Sequence, residues 1–294
     1  MTSPAGPATA DSAVWLDGAL RRPEEARVSV LDHGFLVGDG VFETCGVVDG
    51  QAFALTRHLR RLERSAAGLG LEPPDEDLVR DAVAQTLAAA PRAGRVRITL
   101  TSGAGPLGSA RGTGPRTLVV TAGPVSTSSD EPAHVVRLPW VRNERSALTG
   151  LKSTSYAENA HALAWARERG ASEGLFANTV GALCEATAAN VFVERDGELV
   201  TPALDSGCLA GVTRDLVLEW GQDAGIRVRE AGPDELPFTV LDEVLAGRAA
   251  VFITGSVRNI VPVGVLDGVP VPRGEVGLRA REVFARRRSE QVDP

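Results

Sequence analysis

Lysine is almost absent from this sequence. Of its 31 lysine and arginine residues, one is a lysine, Lys152 in "LTGLKSTSYAEN". Arginine supplies a solvated positive charge elsewhere, but it keeps its proton near neutral pH and cannot attack a carbonyl. A desolvated lysine amine can do both, so Lys152 is a candidate for a Schiff base or a general base. The competing interpretation is that Lys152 is an ordinary surface residue. The residues that accompany it in the sequence have to distinguish the two interpretations.

Cysteine, histidine and long apolar runs are also scarce. The three cysteines have no paired spacing, which indicates reduced thiols in a cytoplasmic protein and gives no zinc pattern. The four histidines are scattered, so we expect no metal site. No apolar run approaches the roughly 20 residues that cross a bilayer. Residues 1–12 lack the basic and apolar regions of a signal peptide and are typical of a disordered tail.

The charge balance is acidic, with a formal net charge of −7 and a pI near 5.3. Nucleic acids and anionic membrane surfaces attract proteins with a basic face, so we expect neither as a partner. Small anionic ligands stay compatible with this charge because they need only a local basic pocket.

Strand and helix patterns are interspersed along the whole chain. Apolar residues recur at steps of three and four over residues 56–69, which predicts an amphipathic helix. "GVFETCGVVDGQAFAL" predicts a hairpin with its turn at Asp49-Gly50. Further helices are predicted over 75–90, 156–170 and from "AGVTRD" onward, and further strands at "AVWLDG", "RVSVLD", 95–103, 116–123, 134–140, 173–178, 190–202 and 250–263. The fold class is therefore mixed, α+β.

The chain is long enough for two domains. "GPVSTSSDE", residues 123–131, has the polar, Ser-, Gly- and Pro-rich composition of a linker. We therefore predict a small N-terminal α/β domain over 13–122 and a large C-terminal domain over 132–290.

Groups that suit an aldehyde cofactor accompany Lys152 in the second half. In "AGVTRD" a glycine turn opens a helix, so the amides of Val212 and Thr213 can point at an anion. Gly255 and Ser256 in "ITGSVR" offer amides and a hydroxyl after a strand. Either stretch alone is also compatible with an ordinary turn. Glu185 lies among apolar residues before a strand, so its carboxylate needs a cation or a hydrogen-bond donor. A nearby arginine would meet this need as well as a protonated ring nitrogen would.

Six motifs together resemble the class IV aminotransferases, the fold type IV group of pyridoxal-phosphate (PLP) enzymes. The resemblance covers roughly residues 13–290. The motifs are "DHGFLVGDGVFET" (32–44), "RHLRRLERSA" (57–66), "GLKSTSYAEN" (150–159), "CEATAANVFV" (184–193), "CLAGVTRDLV" (208–217) and "FITGSVRNIVPV" (252–263). The family implies a two-domain fold, an active site between the domains with PLP in the C-terminal one, and a homodimer in which the neighbour's small domain partly closes each site.

The resemblance also implies roles for individual residues. Lys152 would form the Schiff base with PLP and then move the proton at the substrate Cα, while Glu185 would face the pyridine nitrogen. Arg61 would grip the phosphate, whereas its neighbour Arg60 would be solvated. The other implied cofactor contacts are Val212, Thr213, Gly255, Ser256 and Tyr156, and Phe42 is the implied substrate contact.

The family contains several reactions. We favour a transaminase that moves an amino group from a D-amino acid to a 2-keto acid. The alternative is a 4-amino-4-deoxychorismate lyase, which makes 4-aminobenzoate and pyruvate. A branched-chain aminotransferase is the least favoured of the three because Tyr156 is the only tyrosine. A remote alternative is a cofactor-free binding protein on the same fold.

The partner of the substrate carboxylate departs from the family pattern. D-amino acid aminotransferases carry an arginine and a histidine in the loop that here reads "SGAGPLGSARG", where Leu107 and Ser109 stand at those places. We therefore expect Arg111 or Arg145 to bind the substrate carboxylate instead.

Overall fold

The computed structural model describes residues 12–125 and 131–294. Almost all of the tail expected over 1–12, and residues 126–130 of the expected linker, lie outside the described residues. The described chain forms two compact units. The first contains the residues before the gap together with Leu151–Ser155 and Gln291–Pro294, and the second contains the remainder. Our sequence-based limits, by contrast, put Leu151–Ser155 in the C-terminal domain.

The first unit is a six-stranded antiparallel sheet covered by two helices, with strand order β2-β1-β6-β5-β3-β4. Its elements are β1 (Ala13–Leu16), β2 (Ala19–Arg21), α1 (His33–Leu36), β3 (Gly40–Val48), β4 (Gln51–Ala52), α2 (Leu55–Gly68), α3 (Glu76–Ala89), β5 (Arg95–Thr101) and β6 (Thr117–Gly123). Alternate residues of β3, β5 and β6 point to one face, where they bury against the apolar faces of α2 and α3. The α2 and α3 predictions are thereby confirmed.

The hairpin prediction is confirmed, whereas the strand predicted at "RVSVLD" is wrong. Val48 pairs with Gln51 across Asp49 and Gly50, both of which have positive φ. Residues 27–31 form no strand. The segment is instead fixed at Asp32, whose carboxylate accepts hydrogen bonds from the backbone N–H of Gly34 and the hydroxyls of Thr101 and Thr117. These hydrogen bonds, two of which come from β5 and β6, prevail over the β propensity of a short valine run.

The second unit has a nine-stranded mixed sheet in the order β12-β11-β10-β13-β14-β7-β8-β9, with β15 paired to β14. Its elements are β7 (Ala133–Arg142), α4 (Ala157–Arg167), β8 (Glu173–Asn178), β9 (Leu183–Ala186), β10 (Asn190–Arg195), β11 (Glu198–Thr201), a 3₁₀ turn (Leu204–Ser206), α5 (Val212–Asp223), β12 (Val228–Glu230), α6 (Val240–Leu245), β13 (Ala250–Gly255), β14 (Asn259–Leu266), β15 (Val269–Pro270) and α7 (Glu275–Glu290). With both sheets described, the mixed α+β prediction is confirmed.

Sequence analysis missed the last helix, α7. Its buried face is Gly277, Ala280, Val283 and Phe284, a helical spacing that was present in the sequence. Gly277 lies against the ring of Phe252, since a Cβ there would come within 2.2 Å of it. No helix in the described ranges has the length and apolar character needed to cross a membrane.

Helix α2 begins without a side-chain cap of its own. Ala54, which precedes it, is left-handed with φ 54°. Asp293 supplies the missing acceptor, because its carboxylate accepts from the backbone N–H of Thr56 at 2.8 Å and from the hydroxyl of the same residue at 2.6 Å. The carboxylate at the helix N-terminus is also favourable for the helix dipole.

Replacing this distant cap is expected to destabilise the first unit. Asp293→Ala removes the acceptor and should lower the free energy of unfolding by about 1 kcal/mol, as for other N-cap losses. Urea unfolding followed by circular dichroism measures the change. Gln291→Ala, on an exposed residue of the same segment, is the matched control, and equal effects from the two variants would contradict the capping role.

Candidate active site

Lys152 lies in a short segment that pairs with β3. The backbone N–H of Phe42 donates to the carbonyl of Lys152 at 2.9 Å, and that of Thr154 donates to the carbonyl of Gly40 at 2.7 Å. On the other side, the N–H of Lys152 donates to Ser65 Oγ on α2 at 3.1 Å. The lysine is thus part of the sheet edge of the first unit and is fixed by main-chain hydrogen bonds on both sides.

The Phe42 ring is the immediate neighbour of the lysine amine. Lys152 Nζ lies 4.5 Å from the ring centroid, and the guanidinium carbon of Arg97 lies 3.7 Å from the same centroid. Two cations therefore share one aromatic ring, an arrangement in which the ring quadrupole stabilises each of them. An anionic substrate would meet positive charge here in spite of the acidic net charge.

Arg61 is held by a buried carboxylate. Glu43 on β3 accepts from Arg61 Nε at 2.7 Å and from Nη2 at 2.8 Å, and its second oxygen also lies 2.7 Å from His58 Nδ1. Glu43 and His58 are fully buried and Arg61 is 4% exposed. Residues 58 and 61 are one helical turn apart on α2, so both face the same carboxylate. Arg60 is exposed, as expected.

The charge states in this cluster follow from burial and contact. Burial alone would raise the pKa of Glu43, but the charge of Arg61 and the hydrogen bonds from Arg61 and His58 together hold the pKa well below its ordinary value. Burial lowers the pKa of His58, and the charges of Arg61 and Lys152 lower it further, against the attraction of Glu43. The cluster is therefore an ionised Glu43–Arg61 pair with a neutral histidine that donates from Nδ1.

Arg111, a predicted substrate contact, makes several contacts within its own unit. Its guanidinium donates to both carboxylate oxygens of Asp39 at 2.7 Å, and to the carbonyls of Leu69 and Gly70 at 2.8 and 2.9 Å. The hydrogen bond from Arg111 is the main reason why the pKa of Asp39 is lowered. A substrate carboxylate would have to compete with Asp39, and the role of Arg111 stays a prediction.

Glu185 lies on β9 in the second unit with both a donor and a cation. One of its oxygens accepts from the backbone N–H of Leu209 at 2.9 Å, and the other lies 3.6 Å from Arg142 Nη2. Arg142 also pairs with Glu158 and lies 4.5 Å above the ring of Phe176. Glu185 thus has the donor and the cation that a partly buried carboxylate needs, and its role toward a ring nitrogen stays a prediction.

The two predicted phosphate-binding stretches are both adjacent to Asn190. Helix α5 begins at Val212 after Gly211 and has no side-chain cap. A Cβ on Gly211 would lie 1.9 Å from Asn190 Oδ1, so a larger residue at this entry would force the Asn190 side chain to shift. On the other side, Asn190 pairs with Thr254, next to Gly255 and Ser256.

A phosphate suits this place. The first amides of an uncapped helix favour an anion. The hydroxyl of Thr254 is buried without a hydrogen-bond partner among the described residues. The residues present therefore fit the phosphate group of PLP.

Tyr156 and Arg145 are the remaining predicted site residues. The hydroxyl of Tyr156 donates to the carbonyl of Thr187 at 3.4 Å, a carbonyl that also accepts from Asn159 Nδ2 at 2.6 Å. Tyr156 thus contacts the loop that follows the Glu185 strand. Arg145 has a side chain that is 83% exposed, with Glu144 at 3.7 Å, and its role stays a prediction.

Sequence reasoning gave no role to Glu43, His58, Arg97 or Arg142. A signal existed for Glu43, since it is a charged residue inside the apolar run "GVFETCGVV". The argument applied to Glu185, that a buried carboxylate needs a cation, would have pointed to an arginine for Glu43 as well. For the other three the sequence offers no comparable signal.

A comparison with protein families settles the family. The model of the class IV aminotransferases matches residues 40–265. The chain belongs to this family. Its enzymes use pyridoxal phosphate, so the predicted enzyme class and cofactor are confirmed at the level of the family.

Curated relatives of this class IV aminotransferase divide among three activities. A putative branched-chain aminotransferase of Methanocaldococcus jannaschii is 34% identical over 272 residues, 90% of this chain and 91% of the relative. An aminodeoxychorismate lyase of Bacillus subtilis is 30% identical over 87% of each chain. A D-alanine aminotransferase of Listeria monocytogenes is 29% identical over 90% of this chain and 91% of the relative.

Solved structures agree with the fold. The branched-chain aminotransferase of Thermoproteus uzoniensis, solved with norvaline, has a TM-score of 0.83 and 29% identity, covering 93% of each chain. A fold IV transaminase of Curtobacterium pusillum has a TM-score of 0.79 and 30% identity, covering 93% of this chain and 98% of the other. The fold type IV architecture expected from the sequence is thereby confirmed.

The Glu43–His58–Arg61 cluster leads us to a prediction about how the stability of the protein depends on pH. The pKa values of Glu43 and His58 are both lowered in the folded state, so each group binds more protons when the chain unfolds. Their stabilising contributions are present above the unfolded pKa values and are lost as pH falls, first for His58 below about 6.5 and then for Glu43 below about 4.3. His58→Gln, which keeps a donor but cannot titrate, should therefore flatten the fall in melting temperature between about pH 7.5 and pH 5.5.

Differential scanning calorimetry of the apoprotein measures this pH dependence. His161→Gln, at an exposed histidine of the second unit, is the control and should keep the wild-type slope. An unchanged slope for His58→Gln would mean that His58 does not protonate on unfolding.

Proposed function

We propose that the chain is a PLP-dependent transaminase that moves an amino group from an amino acid, with D-amino acids favoured, to a 2-keto acid. The observation that carries the proposal is the placement of the single lysine. Main-chain pairing with β3 fixes Lys152, and its amine lies beside Phe42 and near a second cation, Arg97. Lys152 is the one lysine of the sequence, and a lysine amine can form an imine with an aldehyde.

The proposed residues divide the chemistry among them. Bound PLP supplies an electron-accepting ring that weakens the Cα–H bond of the substrate. Lys152 binds the cofactor aldehyde and then moves the proton at the substrate Cα. Glu185, which has Leu209 N–H and Arg142 as partners, faces the pyridine nitrogen and holds a proton there. The remaining contacts are to the phosphate, from Arg61, Val212, Thr213, Gly255 and Ser256, and to the cofactor ring, from Tyr156.

The substrate preference rests on weaker support than the chemistry. The D-alanine aminotransferase relatives support a D-amino acid. The M. jannaschii relative supports a branched-chain amino acid, which the sequence argument ranked last. The B. subtilis relative supports the second candidate, a lyase that acts on aminodeoxychorismate with the same lysine and the same carboxylate. Handedness and leaving group have to be measured.

A homodimer, a cytoplasmic location and the lack of nucleic-acid or membrane partners belong to the same proposal. Sedimentation equilibrium of the holoenzyme tests the dimer.

A panel of substrates tests the reaction. The holoenzyme is mixed in turn with D-alanine, L-alanine, D-leucine, L-leucine and aminodeoxychorismate, and the spectrum of the bound cofactor is followed with the products. We expect conversion with D-alanine at least about tenfold faster than with L-leucine, a barrier difference of about 1.4 kcal/mol. Faster conversion of L-leucine would make the enzyme a branched-chain aminotransferase. Release of 4-aminobenzoate would make it a lyase.

Substitution of the single lysine tests the attachment site. Lys152→Arg keeps the charge but removes the amine, so it should abolish covalent cofactor retention and lower turnover by more than about 100-fold, as should Lys152→Ala. Borohydride reduction followed by peptide mapping locates the cofactor in the wild type. A label on any peptide without residue 152, or normal retention in Lys152→Arg, contradicts the assignment. Arg60→Ala, at an exposed arginine of α2, is the control.

A further inference from the structure

Glu173 is a buried carboxyl group that has no task in the proposed chemistry. It is the first residue of β8 and is 6% exposed. Burial raises the pKa of Glu173, against the hydrogen bonds from Thr187 and Ala188 and the charges of Arg258 and Arg167. A carboxyl group in such surroundings costs stability unless hydrogen-bond donors replace the lost water. The groups that donate to Glu173 therefore show what it is there to hold.

The two donors that the structure gives Glu173 come from the loop between β9 and β10. Its Oε2 accepts from the hydroxyl of Thr187 and, at 3.0 Å, from the backbone N–H of Ala188. Thr187 is 1% exposed, and its own backbone N–H donates to the carbonyl of Gly174 at 2.9 Å. The loop is thus fixed to the start of β8 by the Glu173 side chain and by the main chain of the next residue.

The carbonyl of Thr187 connects this loop with two side chains at the start of α4. Asn159 Nδ2 donates to it at 2.6 Å, and the hydroxyl of Tyr156 donates to it at 3.4 Å. Thr187 therefore contacts Glu173 through its hydroxyl and Tyr156 through its carbonyl. A shift of the loop away from Glu173 would displace the acceptor of the Tyr156 hydroxyl.

The Tyr156 hydrogen bond is the more sensitive of the two to such a shift. At 3.4 Å it is already long for a hydroxyl donor, so a small further displacement of the carbonyl would break it. The Asn159 bond is short, and Asn159 is buried at 7% exposure in the first turn of α4. Tyr156 is therefore the residue whose hydroxyl depends on a stationary loop.

We propose that Glu173 is a positioning residue for Tyr156, because it holds the loop whose Thr187 carbonyl accepts from the Tyr156 hydroxyl. The consequence for the cofactor rests on the proposed function, in which Tyr156 contacts the cofactor ring. Reacting groups have to be held in place, and a misplacement of about 1 Å can lower a rate by about 100-fold. Glu173 thus influences the bound cofactor without contacting it.

Tyr156 is the single tyrosine of the sequence, so it can be observed by itself. Apoprotein made with tyrosine that carries a carbon-13 label at Cζ gives one NMR resonance, whose position responds to the hydrogen bond of the hydroxyl. The variants are Glu173→Gln and Thr187→Val, which each alter one side of the contact, their double variant, and Thr187→Ser, which keeps the hydroxyl. Glu168→Gln, at an exposed glutamate of the same unit, is the control.

Glu173→Gln and Thr187→Val should move the Tyr156 resonance in the same direction, and the double variant should move it no further, because both changes act on one contact. Thr187→Val leaves every charge in place, so its effect excludes a direct influence of the Glu173 charge. Thr187→Ser and Glu168→Gln should keep the wild-type position. Melting temperatures establish that the variants fold, and Thr187→Val alone decides the result if Glu173→Gln does not.

The holoenzyme tests the consequence for the cofactor. The absorbance of the bound cofactor is followed against pH in the wild type, in Glu173→Gln, in Tyr156→Phe and in the variant that combines both changes. Glu173→Gln should shift the midpoint of this titration when Tyr156 is present. It should cause no shift in the Tyr156→Phe background, because phenylalanine has no hydroxyl to position.

The proposal is overturned if the Tyr156 resonance keeps its wild-type position in Glu173→Gln and Thr187→Val, or moves in Glu173→Gln alone. An equal shift of the absorbance midpoint with and without the Tyr156 hydroxyl overturns it as well. Failure of the proposed function has a different signature, since the wild type would then convert no amino acid. The NMR measurements use apoprotein and still decide the positioning role of Glu173 in that case.

Discussion

The pairing of the lysine segment with the N-terminal end of β3 is the constraint on which the proposed site residues of the first unit depend. Gly40 permits it, because a Cβ at that position would lie 2.7 Å from the carbonyl oxygen of Leu100 on the next strand. Alternation along β3 then separates the roles of consecutive residues. Phe42 lies beside the amine of Lys152, while Glu43 pairs with Arg61 and His58 on α2. One strand thereby positions the proposed nucleophile, its aromatic neighbour and the proposed phosphate arginine.

Charge pairing explains why the buried acids of the molecule stay in place. Glu43 and Glu185 each have an arginine and at least one hydrogen-bond donor, and for Glu43 these partners hold the pKa of the carboxyl below its ordinary value. Removing one partner of such a pair would leave the other charge without its partner. This would destabilise the protein by more than the intact pair stabilises it. Arg61 and Glu185 are therefore fixed in orientation as well as in charge, and a ligand that needs a stationary cation or carboxylate meets groups that do not have to reorganise.

The sequence revealed those parts of the site in which residue type alone implies chemistry. Few physical reasons explain a single lysine, a glutamate among apolar residues, or a glycine turn before a helix or after a strand. These features could therefore be selected from the sequence as candidate site residues. The pairing of Leu151–Ser155 with β3 and the capping of α2 by Asp293 could not be predicted from the sequence. Each joins segments more than 80 residues apart, and the local sequence pattern does not indicate the partner. The wrong strand at "RVSVLD" has the same cause, because the hydrogen bonds of Asp32 to Thr101 and Thr117 are tertiary.

The arginine-rich composition bears on how the chemistry is confined. An aldehyde reacts with any accessible neutral amine, and a chain in which arginine replaces lysine everywhere else offers it no other side chain of that kind. An arginine such as Arg97, whose guanidinium lies over the same Phe42 ring as the lysine amine, adds positive charge there without competing for the aldehyde. The lysine would thus supply the covalent chemistry common to transaminase and lyase, whereas the arginines that reach the substrate would decide which anion is accepted.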